Sequence, residues 1–393
     1  MKTFFSCILY FPVRHDIRYS NHDKGAIFLT DELYMQRALR LARKGETTVS
    51  PNPMVGAVIV KENRIIGEGY HKKFGGNHAE IDAIFHASES IEGSTIYVTL
   101  EPCAHYGKTP PCTDRLIAEK PARVVVATLD PNPLVSGRGI DILTRYGIKT
   151  TVGVLEGPCK DLNERFFKFM QTGIPFVTLK FAQTLDGRIA TASGHSQWIS
   201  SLSSRRLAHR LRSIHDAVLV GVRTVMADDP ELTVRLTRGK NPVRIIVDSH
   251  LRIPLHSNVL KHQGTSKTII ATTKGTDTEK RTLLMDMGID VLLIAEDSHQ
   301  QIDLKRLLAE LGKKGLSSVL VEGGATIITS VLRDHLADRF VVFIAPKIAG
   351  QGIEAVGNLG IERMDEALKC SYQKILRKGG DLIIDGFIEK VGK

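Results

Sequence analysis

The chain has 393 residues, 42% hydrophobic and 24% charged, with five cysteines. That composition fits a globular protein of two domains and excludes a disordered, collagen-like or membrane-embedded chain and a disulfide scaffold. The net charge of +10 divides as +2 over residues 1–29, +1 over 30–173 and +7 over 174–393.

The apolar run at 4–11 stops at Pro12, well short of the roughly 20 residues of a membrane span. No small-residue cleavage site follows it, so no signal peptide is read, and a reducing cytoplasm is expected. Residues 1–29 show no sustained periodicity and read as a disordered extension or as the product of a start codon placed too early. Thr30-Asp31-Glu32 reads as an N-cap with acids in the first turn, opening a helix that ends at Gly45. Strands are predicted at 54–60 and 64–70, joined as a hairpin, then a helix at 78–87 and a strand at 95–100. A helix at 113–119 and a strand at 123–129 complete a β–β–α–β–α–β order, the pattern of an α/β sandwich. The turn cluster Thr172-Gly173-Ile174-Pro175 separates this unit, 30–173, from a second α/β unit, 174–393. There strands are predicted at 176–181, 217–220, 243–248, 268–272, 291–295, 318–322 and 339–345, with an antiparallel pair at 372–376 and 381–388. Helical patterns at 303–311 and 325–332 alternate with them.

His78-Ala79-Glu80 opens a predicted helix, Cys103 follows a predicted strand, and Cys112 begins the next helix. One imidazole and two thiolates suit zinc, and three ligands leave a fourth position for water, the mark of a catalytic site. On an ideal helix His78 and Glu80 point about 200° apart, so Glu80 is cast as a proton carrier beside the metal. The set matches the zinc deaminase pattern H-x-E…P-C-x-x-C except that eight residues, not two, separate the cysteines. Cys7, Cys159 and Cys370 lack ligand-like spacing and read as plain thiols.

Pro51-Asn52-Pro53-x-Val55-Gly56, His78-Ala79-Glu80 and Glu101-Pro102-Cys103-x-His105-x-Gly107-Lys108-Thr109-Pro110-Pro111-Cys112 together resemble the bifunctional riboflavin-biosynthesis deaminase/reductase family, in which the wide cysteine spacing is normal. Asp130-Pro131-Asn132-Pro133, Lys180–Arg188, Ser196–Ile199, Asp228-Asp229-Pro230 and Val321–Gly324 extend the resemblance over 30–393. It implies a cytidine-deaminase-like α/β/α sandwich followed by a dihydrofolate-reductase-like α/β domain. The implied activity is deamination of 2,5-diamino-6-ribosylamino-4(3H)-pyrimidinone 5′-phosphate, then reduction of its ribosyl group to ribityl with NADPH. It implies substrate contacts for Asn52, His105 and Lys108; Asn52 offers an amide donor and acceptor to a pyrimidine edge.

In the second half no G-x-G-x-x-G follows a strand. Glu322-Gly323-Gly324 leads from strand to helix, where free backbone N–H groups suit a phosphate. The resemblance places the cofactor along Gly324, Ala325, Thr326, Ile327, Ile328, Thr329 and Ser330, with Ala182, Trp198, Thr224, Asp228 and Ser249. Its substrate positions fall on Ser196, Arg212, Leu232, Arg235 and Glu322. Lys180 and Asp186, on or just after the first strand of this half, are candidates for the proton chemistry that opens the ribose. A homo-oligomer acting on a small molecule is expected, with no nucleic-acid or membrane partner. The alternative is a zinc nucleic-acid base deaminase fused to a pterin- or folate-like reductase. It would need a basic, aromatic-lined groove, and residues 30–173 carry only +1.

Overall fold

A computed structural model of the chain describes residues 24–106, 110–132 and 135–389. Helix α1 (Lys24–Ala42) precedes a hairpin of β1 (Gly56–Lys61) and β2 (Arg64–Tyr70). Lys61 pairs with Arg64, and the two turn residues, Glu62 and Asn63, both adopt positive φ, the backbone that matches strand twist in a two-residue loop. Next come α2 (Ala79–Phe85), β3 (Thr95–Val98), α3 (Cys112–Glu119), β4 (Arg123–Val126), α4 (Arg138–Arg145) and β5 (Lys149–Val152), then α5 (Glu156–Leu162) and α6 (Glu164–Thr172). The five strands form one sheet in the order β2-β1-β3-β4-β5, antiparallel at the hairpin end and parallel from β3 to β5.

Strand alternation explains the layering. Val58, Val60, Tyr97 and Val125 face α1, packing on Met35, Ala38 and Leu39. Ala57, Ile59, Ile96, Val98, Val124 and Val126 face the other way, onto Ala79 and Ala83 of α2, Leu116 of α3 and Leu143 of α4. The seam between β2 and α2 requires Gly69, where a Cβ would come within 2.2 Å of the Ala83 nitrogen. Thr30 is not a cap: α1 begins at Lys24, and the buried Asp31 carboxylate accepts from Tyr97 Oη at 2.8 Å and from both Arg123 terminal nitrogens at 3.1 and 2.7 Å. Residues 1–23 lie outside the described residues.

The second sheet begins with β6 (Phe176–Thr184) and β7 (Arg188–Thr191), then α7 (Leu202–Ile214), β8 (Ala217–Gly221), α8 (Val222–Asp228), β9 (Val243–Val247) and β10 (Thr268–Thr272). It continues through α9 (Thr278–Asp286), β11 (Asp290–Leu293), α10 (Leu304–Lys313), β12 (Ser318–Gly323), α11 (Ala325–Arg333), β13 (Arg339–Ala345), β14 (Gly352–Glu354), β15 (Cys370–Lys378) and β16 (Asp381–Ile388). Nine strands order as β11-β10-β9-β8-β12-β6-β13-β16-β15; β7 and β14 make a separate pair. Pairing is parallel as far as β13 and antiparallel beyond it. Its two faces carry separate cores, one with Leu307, Leu311 and Ile328, the other with Val225, Leu251 and Leu284. Because β12, β8 and β9 pair in parallel, their C-terminal ends lie together at one end of the sheet, where α8 and α11 begin on opposite faces.

Candidate active sites

His78 is not on a helix as the sequence reading had it; it is the extended residue before α2 (φ −70°, ψ 163°), and Glu80 sits in the first turn. The ideal-helix angle between them therefore does not apply. The ligand-type atoms of His78, Cys103 and Cys112 nonetheless lie within 4.8 Å of one another, without Glu80. His78 Nδ1 is 3.2 Å from Cys112 Sγ and 3.4 Å from Cys103 Sγ. Neighbouring ligands of a tetrahedral zinc stand about 3.6 Å apart, so the triad fits the ion. The Cys112 thiol and then His78 hold Cys103 down to about 4, as a thiolate. Burial pushes the Glu80 carboxyl up to about 7.

His78, Glu80 and Cys103 open into a cavity of about 400 Å³ that also holds Asn52, His71, Glu101, His105 and Asp130. His71 was not anticipated. Burial holds its imidazole below the ordinary value. Its Nδ1 lies 2.9 Å from the Asn77 carbonyl and its Nε2 3.1 Å from Asn52 Nδ2. A neutral ring donating to Asn77 and accepting from Asn52 satisfies both contacts, leaving the Asn52 carbonyl oxygen for the cavity. A lone histidine after a strand gave no spacing signal. Glu101, quoted only as part of the cysteine motif, clamps the opposite loop: it accepts from the backbone nitrogens of Asp130, Gly137, Gly139 and Ile140 at 2.9 to 3.4 Å. Lys108 lies outside the described residues, as does Cys7. Cys159 is buried in the α1-side core and Cys370 is exposed.

The second site is a cleft of about 650 Å³ at the ends of β8, β9 and β12. It brings together Lys180, Ala182, Ser196, Thr224, Asp228, Ser249 and Glu322 with Gly324, Ala325, Thr326, Ile327 and Ile328. Gly324 N donates to Thr224 Oγ1 at 3.0 Å, and a Cβ at Gly324 would press to 3.2 Å from that oxygen. Gly323 and Gly324 line the cleft just ahead of α11, so the start of that helix meets the cleft with no side chain at either position, a fit for a dinucleotide phosphate. Arg212 grips Glu322 from behind the cleft at 2.5 and 3.0 Å, and Lys180 Nζ lies 3.7 Å from the same carboxylate. Burial alone would raise Glu322, but the two cations outweigh it and hold the carboxyl near 2.

Other expected residues lie outside the cleft lining. Leu232 is buried in the core beneath, at φ +54°. Arg235 is exposed and pairs with Glu231 at 2.5 Å. Trp198 is 59% exposed with the Arg205 guanidinium 4.0 Å above its ring. Thr329 and Ser330 lie farther along α11; Thr329 Oγ1 donates to the Ala325 carbonyl and accepts from Gly357 N. Asp186 is taken up by Thr184 Oγ1 and the Ala349 and Gly350 nitrogens, which hold its carboxyl down at about 2. It pins a turn and does not face the cleft.

The family model of the RibD C-terminal domain matches residues 175–384, and that of the cytidine and deoxycytidylate deaminase zinc-binding region matches 29–128. The riboflavin biosynthesis protein RibD of Aquifex aeolicus is 48% identical over 90% of this chain and 97% of its own length; that of Escherichia coli is 41% identical over 91% and 99%. The chain belongs to the RibD family. Acinetobacter baumannii RibD superposes with a TM-score of 0.85 at 38% identity, covering 92% of this chain and all of that one. The Thermotoga maritima structure described as a diaminohydroxyphosphoribosylaminopyrimidine deaminase/5-amino-6-(5-phosphoribosylamino)uracil reductase has a TM-score of 0.81 over 92% and 99%. As a RibD protein, this chain is a bifunctional deaminase and reductase of riboflavin biosynthesis, with a zinc-binding deaminase region. Among the described residues no helix is long and apolar enough to cross a membrane.

Proposed function

We propose that the triad cavity deaminates 2,5-diamino-6-ribosylamino-4(3H)-pyrimidinone 5′-phosphate and that the second cleft reduces the ribosyl group of the product to ribityl. The convergence of His78, Cys103 and Cys112 beside a buried Glu80 carries the first assignment. When bound, zinc supplies Lewis acidity toward water and NADPH supplies hydride. Glu80, with its affinity for a proton near neutrality, moves a proton from water to the departing amino nitrogen. Asn52, its amide fixed by His71, aligns the pyrimidine edge through its free carbonyl oxygen. His105 and Lys108 complete the substrate contacts.

In the reductase cleft Gly324 to Ile328 hold the cofactor phosphates, with Ala182, Thr224, Asp228 and Ser249 beside them. Glu322, kept ionised by Arg212 and Lys180, accepts hydrogen bonds from the substrate. Lys180, whose ammonium burial holds below its ordinary pKa, is placed to deliver a proton as the ribose ring opens. Ser196 and Arg235 belong to the substrate set. The deaminase unit spans 30–173 and the reductase unit 174–393. Exposed Tyr372 and Ile375 on edge strand β15 support a homo-oligomer, and a site built on free thiols supports a reducing cytoplasm.

Incubating zinc-loaded protein with the diaminopyrimidine phosphate, with and without NADPH, tests this reading by mass spectrometry. Without NADPH, the product should exchange one amino group for oxygen; with it, the product should gain two further hydrogens. An unchanged substrate in both arms rejects the assignment.

A further inference from the structure

Helix α6 serves both halves of the molecule. Phe166, Phe169 and Met170 on one side line the cavity that holds His78 and Glu80. From its other side Glu164 accepts from Arg339, Lys168 donates to Asp338, and Arg165 donates to the Ile214 carbonyl at the end of α7. Those three partners all belong to the reductase half. The facing wall of the cavity, Pro51-Asn52-Pro53, is tied in the same way. The Ser50 hydroxyl donates to Asp216, which is itself fixed by the Ser317 and Ser318 nitrogens at 2.8 and 3.1 Å.

No residue of α6 is fully buried; Phe166 and Phe167 pack partly on the deaminase core and Asn163, just before the helix, clamps Met54 through both amide atoms, so the reductase ties act on the rest of the helix from its other side. Its ties are shielded: the Glu164 and Arg339 side chains are 17% and 19% exposed, and those of Lys168 and Asp338 19% and 10%. Ion pairs removed from water to that degree constrain geometry more than solvent-exposed pairs do. The zinc triad and Glu80, by contrast, rest on β3, α2 and α3 of the deaminase half alone.

We infer that the reductase half positions the deaminase's substrate pocket: Arg339, Asp338, Asp216 and the Ile214 carbonyl set the spacing between α6 and the Pro51–Pro53 loop. They are positioning groups for the pyrimidine, acting through Arg165, Lys168, Glu164 and Ser50. This rests on the reading of the cavity as the deaminase substrate site. Loosening the ties should therefore weaken substrate capture and leave the chemical step, the metal and the reductase cleft as they were.

The test uses zinc-loaded full-length chain carrying Arg165→Met, Arg165→Lys, Ser50→Ala, Phe169→Ala or Arg165→Met with Phe169→Ala. Deaminase kcat and KM, reductase kcat/KM on deaminated substrate, zinc content and melting temperature are measured for each. Arg165→Met should raise deaminase KM about five- to tenfold with kcat within about twofold, a loss of binding without loss of transition-state chemistry. Zinc content and reduction should stay unchanged, and Arg165→Lys should recover part of the KM. Ser50→Ala should raise KM about twofold, and the double variant should rise no further than its worse single parent, because coupled neighbours are not additive. Unchanged deaminase KM in Arg165→Met overturns the inference, as does a parallel fall in reduction or a fully multiplicative double variant. Should Arg165→Met fail to fold, Ser50→Ala and Arg165→Lys decide by the same KM criterion. If Phe169→Ala itself leaves deaminase KM untouched, the cavity assignment fails instead.

Discussion

Glu80 in one half of the molecule and Glu322 in the other are both enclosed at their active sites, and the two are driven in opposite directions. At Glu80 burial is the largest influence and lifts the carboxyl to about 7, against a smaller downward pull from the His78 imidazole. Glu322 is just as enclosed, but Arg212 and Lys180 close on it and hold it near 2. The residue type and its burial are the same; the neighbours decide the ionisation state. One carboxyl can therefore take and release protons near neutrality, while the other is a fixed charge that orients partners.

The comparison breaks most visibly at the metal. Cys103→Ser or Cys112→Ser should abolish zinc retention, normally about one ion per His/Cys/Cys set, and deamination with it. Metal analysis should show the loss while NADPH oxidation on deaminated substrate continues. Glu80→Gln should keep its zinc and lose at least about 100-fold in deaminase kcat; near-normal turnover in a zinc-replete variant would move the proton carrier elsewhere.

The reductase cleft should separate two roles within three residues. Gly324→Val brings side-chain atoms against Thr224 Oγ1 and should raise the cofactor KM about tenfold, equivalent to about 1.4 kcal/mol. Glu322→Gln should leave the cofactor KM near normal, impair substrate reduction, and lower the melting temperature, because it strands two buried cations. Deamination should persist in both, and steady-state kinetics with each substrate varied in turn reads the difference.

Acid should sharpen the contrast. Because the folded pKa of Glu322 lies below its ordinary 4.5, its ion pairs contribute stability that is complete above that value and fades as pH falls toward 2. Acid melting curves of the wild type should therefore be steeper over that interval than those of Glu322→Gln, and identical slopes would show the network to be inert. The smallest effect concerns separation of the halves. Every residue lining the reductase cleft lies between Lys180 and Ile353. A 174–393 fragment should thus reduce deaminated substrate within about threefold of the full chain, since sites without shared partners act independently.

Much of this was legible in the sequence because it depends on local periodicity and on chemistry-bearing residues close together. The hairpin, the parallel strands and the triad belong to that class. The helix start at Lys24 was not, because Asp31 looks like a capping-turn acid until Tyr97 and Arg123 are seen around it. The pair β7 and β14 escaped notice because these short strands, unlike β3 and β4, bury no apolar run. Leu232 and Asp186 show what a motif does not encode: a position within a functional stretch can also pack in the core or pin a turn. His71, Glu101 and α6 act through partners far along the chain, which no single-segment pattern encodes.

The strand order also fixes a sequence of assembly. Every strand of the first sheet finds its neighbours between Gly56 and Val152, so that sheet can close as soon as its own segment has left the ribosome. Strand β6 cannot, for it is flanked by β12 and β13, pairing Phe176 with Ser318 and Arg339 with Thr178. It waits, unpaired on both edges, while the long central segment is translated, the interval in which an exposed apolar strand is open to aggregation. The metal-binding half, complete at its back, thus spends synthesis as a folded neighbour to an unfinished sheet, and the last antiparallel ribbon to emerge, β15–β16, completes the sheet's far edge.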